Sequence, residues 1–168
     1  MKAKSLGVLL GLVGMTGLAS AAPPDLTQPP DFELVLSAGL ACESLDLKIQ
    51  GWGGNRHTRE FKDENGHLVR VLDTGTGSAL VFTNVASGKS LTTRSNGAVS
   101  QKVYNPDGSY SETDTGHNVL ILFPTDQPPG PTTQLIAGRL RFAVSLEGVF
   151  TVESVSGKVT DICAALAN

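Results

Sequence analysis

Gln101-Lys102-Val103-Tyr104-Asn105-Pro106-Asp107-Gly108-Ser109-Tyr110-Ser111-Glu112-Thr113 sets a block of turn residues between two runs of β-formers. Pro106 presets the backbone for a turn and Gly108 supplies the positive φ that closes it. Gln101–Tyr104 and Ser109–Thr113 therefore read as the arms of an antiparallel hairpin. Asp63-Glu64-Asn65-Gly66 repeats this pattern between the run at Phe61 and the run His67–Leu72. Thr74-Gly75-Thr76-Gly77, Ala86-Ser87-Gly88-Lys89, Ser95-Asn96-Gly97 and Glu147-Gly148 punctuate the rest as further turns. Turn signals roughly every eight to twelve residues predict an all-β protein.

The runs between the turns show which faces are apolar. Leu45, Leu47 and Ile49 alternate with Asp46 and Lys48, and Leu140, Phe142, Val144 and Leu146 alternate with Arg139, Arg141 and Ser145, so these strands have one apolar face. Ala79-Leu80-Val81-Phe82 and Val119-Leu120-Ile121-Leu122-Phe123 are apolar on both faces and need cover on each side. One cover is a short C-terminal helix, capped by Thr160 or Asp161, whose Val159, Ile162, Cys163 and Leu166 share a side. A second subunit, in a homodimer, is the other candidate. Hairpin-length links dominate, so a small antiparallel β-barrel of about eight to ten strands is expected, with a β-sandwich as the alternative. Pro124 to Pro131 carries four prolines and reads as a surface arm.

The chain has 168 residues, 40% apolar and 17% charged, with 19 glycines, nine prolines and two cysteines, which suits one folded domain. Lys2 and Lys4 precede an uncharged stretch from Leu6 to Leu18, and Ala19-Ser20-Ala21 forms an A-x-A exit. Residues 1–21 therefore read as a signal peptide cleaved before Ala22. The uncharged stretch is shorter than the roughly 20 residues a membrane-crossing helix needs. Residues 22–31, with Pro23, Pro24, Pro29 and Pro30, form an extended spacer, and 32–168 form the β domain. The expected location is extracellular. Cleavage leaves 11 basic against 16 acidic residues, net −5, with no run of more than two like charges. Nucleic acid and anionic membranes are not expected partners.

Export exposes the cysteines to oxidising conditions, and Cys42 and Cys163 permit one intramolecular pairing, a disulfide closing a loop of about 120 residues. The alternatives are two buried thiols or a redox site, although C-x-x-C spacing is absent.

The motifs that carry chemistry fail on spacing. Gly88-Lys89-Ser90 lacks the first glycine of a P-loop, where Thr83 stands, and Gly75-Thr76-Gly77 lacks the third glycine of a dinucleotide loop, where Leu80 stands. Asn105, Asp107 and Ser109 lack the sixth-position glycine and twelfth-position glutamate of a calcium loop. His57, His67 and His117 have no metal-ligand spacing, and no G-x-S-x-G elbow is present, so neither a metal nor a cofactor is expected. His67 and His117 follow glycines read as turns, and Asp114 near His117 offers an acid–base pair at a loop end. Arg139 and Arg141 share one strand face; directed inward they would need anionic partners, and directed outward they are solvated charges. Gly51-Trp52-Gly53 partly resembles the G-x-W of lipocalins, but Gln50 stands where its glycine belongs, so Trp52 reads as a core or barrel-end aromatic.

Thr83-Asn84, Ser87-Gly88-Lys89-Ser90, Pro106-Asp107-Gly108-Ser109, Thr115-Gly116-His117-Asn118, Gly138-Arg139-Leu140 and Asp161-Ile162-Cys163-Ala164-Ala165-Leu166 occur in that order. Together they resemble small secreted, mostly actinobacterial proteins of unknown function, over about two thirds of the mature chain. The resemblance implies a secreted β protein with joined ends and no particular activity. The expected function is thus that of a non-catalytic secreted β-barrel module binding a small molecule, a glycan or a protein, with Arg139, Arg141, Trp52 and His117 as candidate contacts. The alternative is a cofactor-free barrel isomerase or hydrolase with a pocket lined by Arg139, Arg141, His117 or Asp114.

Overall fold

The computed structural model describes residues 23–167; the signal peptide expected over residues 1–21, its expected cleavage point and Ala22 lie outside them. Ten strands follow one another: β1 (Phe32–Leu36), β2 (Leu47–Trp52), β3 (Asn55–Lys62), β4 (Leu68–Thr76), β5 (Ala79–Asn84), β6 (Ser90–Thr93), β7 (Gly97–Tyr104), β8 (Tyr110–Leu122), β9 (Thr132–Val144) and β10 (Phe150–Asp161). Helix α1 (Ile162–Leu166) closes the chain. The strands form two antiparallel sheets, one ordered β1-β2-β5-β6 and the other β10-β9-β8-β7-β4-β3.

The expected barrel does not close: the edge strands β1, β6, β3 and β10 each pair on one side only, and the arrangement is that of a sandwich. The reason lies in the short links. Two of them, at Asp63–His67 and Asn105–Ser109, are the hairpins read from sequence. Three others, Gly53–Gly54, Gly77–Ser78 and Arg94–Asn96, are corners at which the chain passes from one sheet to the other. The corners are stitched side by side. Ser78 Oγ donates to the Gly53 carbonyl at 2.8 Å, Gly77 N–H to the Asn96 carbonyl at 2.9 Å, and the Ser95 hydroxyl to the Gly77 carbonyl.

The line of corners continues through the unbroken strands as a row of small residues. Gly75, Ala98, Gly116, Gly138 and Gly157 stand opposite one another across β4, β7, β8, β9 and β10. Gly75 and Gly116 therefore lie inside strands, which corrects their reading as turn residues, and His117 does not follow a turn. Between Thr132 and Ala143 of β9 the sheet folds back on itself. From Leu122 to Gln127 the chain reaches about 17 Å at most, yet Gln127 bridges Thr151, whose partner Ala143 is eleven positions from Thr132 on β9. Straight, that stretch of β9 would run about 36 Å. The proline-rich segment lies at the surface, with residues 123–125 and 127–129 exposed, but is tied to β10. Gln127 N–H donates to the Phe150 carbonyl at 2.8 Å, Val152 N–H donates to the Gln127 carbonyl at 2.7 Å, and Asp126 is buried.

Both faces of Val119–Leu122 find cover. Val119 and Ile121 pack with Leu135 against Leu47, Ile49 and Phe82 of the smaller sheet and Ile162 and Leu166 of α1. Leu120 and Leu122 pack on the opposite side with Ile136, Leu140, Phe142, Phe150 and Val152. Burying each of the larger side chains contributes roughly 2 kcal/mol. Asp161 caps α1 by accepting from Ala164 N–H at 2.9 Å; Val159, expected on the helix's packed side, instead lies in β10 and is exposed. Cys42 and Cys163 form a disulfide across 121 residues, with Cα atoms 5.5 Å apart, and α1 is anchored again by Asn84 Nδ2 donating to the Leu166 carbonyl at 3.2 Å.

Candidate functional site

The ladder between β7 and β8 stops at Ala98 and Gly116, and beyond it β8 keeps β9 as its neighbour. A cleft of about 320 Å³ opens where β8 outruns β7. Because a free strand edge exposes side chains of both faces, the lining includes His117 and Val119 as well as Ser100, Glu112, Asp114 and Asn118. Arg56 of β3 and Phe32 and Leu80 of the smaller sheet complete the walls.

The polar side chains here are unevenly satisfied. The Ser100 hydroxyl donates to Glu112, and Lys102 Nζ lies 3.4 Å from the other Glu112 oxygen. Asp114 Oδ1 and Asn118 Nδ2 are buried with no hydrogen-bond partner among the described residues. An unpaired buried polar group costs on the order of 1–3 kcal/mol, so an orphaned acceptor and an orphaned donor mark a place built at some loss of stability. Burial pushes the Asp114 carboxyl up to about 6; the Ser100 hydroxyl beside it opposes the rise, the adjacent Glu112 charge adds to it, and the Arg56 guanidinium opposes it. Asp114 thus changes charge near neutrality.

Two of the candidate residues named from sequence, Asp114 and His117, meet in this cleft, while the others stand elsewhere. Arg139 and Arg141 are exposed on β9, and Arg141 is ion-paired with Glu153. Arg141 lines a larger open cleft of about 570 Å³ with Asn105, Asp107, Tyr110 and Glu147. There the ionisable groups already have partners: Asp107 accepts from Ser109 and Glu147 from Ser145, contacts that lower both carboxyl pKa values. Trp52 is half-buried, and its Nε1 donates to the Gln28 carbonyl at 3.0 Å, tying the segment before β1 to β2. Asp31 reinforces that tie by accepting from Gly53 N–H at 2.6 Å. His67 sits 3.3 Å from Asp63 in the β3–β4 hairpin and His57 lies on β3; among the described residues no group of three His, Cys, Asp or Glu side chains is placed to hold a metal ion.

Arg56, Ser100, Glu112 and Asn118 were not singled out in the sequence, and no spacing would have revealed them. They come from β3, β7 and β8 and converge through strand register. Compared with protein-family models, with curated proteins and with solved structures, the chain matches none.

Proposed function

We propose that the protein is an exported, non-catalytic binding module that takes a small polar molecule into the cleft beside Gly116. The observation that carries this reading is the pair of buried, partnerless atoms, Asp114 Oδ1 and Asn118 Nδ2, on one cleft wall. A hydroxyl-rich or amide-bearing molecule would find the polar side chains of Ser100, Glu112, Asp114, His117 and Asn118 along the cleft, while Phe32, Leu80 and Val119 offer it an apolar side. The cleft volume suits a ligand of sugar or amino-acid size.

Native mass spectrometry of the protein purified from its own secretion medium tests the reading. A small-molecule adduct is expected, and it should be absent from Asn118→Ala. A chain that carries no adduct, or one whose adduct survives both Asn118→Ala and Asp114→Asn, would reject the cleft as the site.

A second reading has its own observation: a carboxyl titrating near 6 beside Glu112 is suited to cofactor-free acid–base catalysis, as in a hydrolase or isomerase. In that case the adduct should be consumed over time by the wild type and persist unchanged on Asp114→Asn.

A further inference from the structure

The strand registers sort the charges of the six-stranded sheet by face. Directly paired residues of antiparallel strands point to the same side. One such row reads Arg59, Leu72, Gln101, Thr113, Arg141 and Ser154 from β3 to β10, and the next reads His57, Thr74, Val99, Thr115, Arg139 and Ser156. Arg70 joins the same face beside Phe61. The strand carboxylates Glu60, Asp73, Glu112 and Asp114 all fall in the intervening rows, on the opposite face. A chain with net charge −3 therefore presents four arginines on one sheet face, with the bulge residue Glu153 bound to Arg141 and the loop carboxylates Asp107 and Glu147 lining the cleft at the Arg141 end.

This face is open to solvent in the half of the sheet away from the smaller one: Arg59, Val99, Gln101, Thr115, Arg139 and Arg141 are all exposed. Its cations stand at both ends of the rows. Four interstrand steps separate Arg59 from Arg141, about 19 Å, and the ground between them is filled by hydroxyl, amide and aliphatic side chains. Arg59 and Arg70 are held in place over the Phe61 ring, at 4.8 and 3.9 Å from its centre.

We infer that this face is a docking surface for a linear anionic polysaccharide lying across the strands. Arg59, Arg70 and Arg139, which have no ion pair among the described residues, meet spaced carboxylate or sulfate groups, Arg141 being held by Glu153, and Gln101, Thr113 and Thr115 meet the sugar hydroxyls between them. A polysaccharide fits better than a nucleic acid on two counts. Duplex DNA places a charge every ~1.7 Å, which an acidic protein with dispersed arginines repels more than it attracts. The Phe61 ring is already occupied by guanidinium groups and is not free to stack on a base. An anionic membrane would need a deeper, continuous basic surface than two separated arginine pairs provide.

The test measures retention of the mature protein by alginate, a linear carboxylated polysaccharide, with neutral dextran, duplex DNA and phosphatidylglycerol vesicles alongside. At about 0.01 M salt the Debye length is about 30 Å and spans the whole face, whereas at about 0.15 M it is about 8 Å. Alginate is expected to bind at low salt and to weaken about tenfold or more at the higher salt, with dextran not bound. The Arg59→Gln/Arg139→Gln double variant should lose about tenfold in affinity, and Gln101→Glu, which keeps every arginine, should also weaken binding. Asn118→Ala, in the cleft, should bind alginate like the wild type. Absence of alginate binding, binding indifferent to Arg59→Gln/Arg139→Gln and Gln101→Glu in folded protein, or tighter binding to DNA or vesicles than to alginate would each overturn the inference.

Discussion

Gly116 and Gly138 stand directly opposite each other in the β8–β9 ladder, and a Cβ on either would fall closer than 3.0 Å to a neighbouring backbone carbonyl oxygen, that of Gly97 or Ser156 respectively. Gly116 also holds a φ of 102°, a conformation that costs other residues energy. The pair lies within the stretch, between Thr132 and Ala143 of β9, over which the sheet folds back to bring Gln127 to Thr151. Gly116→Ala and Gly138→Ala should each destabilise the fold by about 2–4 kcal/mol, because the obstruction is backbone and cannot rotate away. Urea unfolding followed by circular dichroism measures the loss. Gly97→Ala, whose added Cβ would come no nearer than 3.9 Å to its closest neighbour, is the control and should stay within about 1 kcal/mol of the wild type.

The Cys42–Cys163 bridge closes a loop spanning 121 residues and joins the segment before β2 to α1. Chain entropy assigns such a loop about 4–5 kcal/mol. Domains of this size are stable by about 5–15 kcal/mol, so the bridge supplies a large share of the total. The Cys42→Ala/Cys163→Ala variant should show a lower urea midpoint by a corresponding amount, and Cys42, at 1% exposed, adds a small cavity term. Adding dithiothreitol to the wild type should reproduce most of the loss. An unchanged midpoint under complete reduction would remove the bridge from the account of stability.

The features legible in the sequence are those written by contiguous residues. Asn105–Gly108 and Asp63–Gly66 announced hairpins because each turn carries its own conformational chemistry, and the two-sided apolar run Val119–Phe123 announced the burial found on both faces of Val119–Leu122, although Phe123 is exposed. The corners at Gly53–Gly54 and Gly77–Ser78 use the same residue types as hairpins, and only the partner strand distinguishes them, which is why a barrel was expected and a two-sheet fold is found. Gly75 and Gly116 read as turn residues for the same reason. The cleft depends on where the β7–β8 ladder stops, a property of register. The cationic face gathers Arg59 and Arg141 from opposite ends of the domain, and the local charge pattern around each of them is mixed.

The raised pKa of Asp114 makes stability depend on pH in a definite direction. Its ordinary value is 3.8 and its folded value about 6, so between these the folded state binds the proton more tightly than the unfolded state does. Its contribution is fully present below pH ~4, falls as pH rises through about 6, and is constant above that. After allowance for partial solvent screening, the penalty of the charged form at neutral pH is roughly 1–2 kcal/mol. Asp114→Asn keeps the shape without the charge and should be more stable than the wild type at pH 7.5 by about that amount, with the difference vanishing near pH 4. Urea titrations of both proteins at several pH values measure the gap. A gap that is constant across the range, or that widens toward acid, would show that the Asp114 charge is not what the fold resists. The same substitution is expected to abolish ligand capture in the cleft, so stability and binding should move in opposite directions when this one carboxylate is removed.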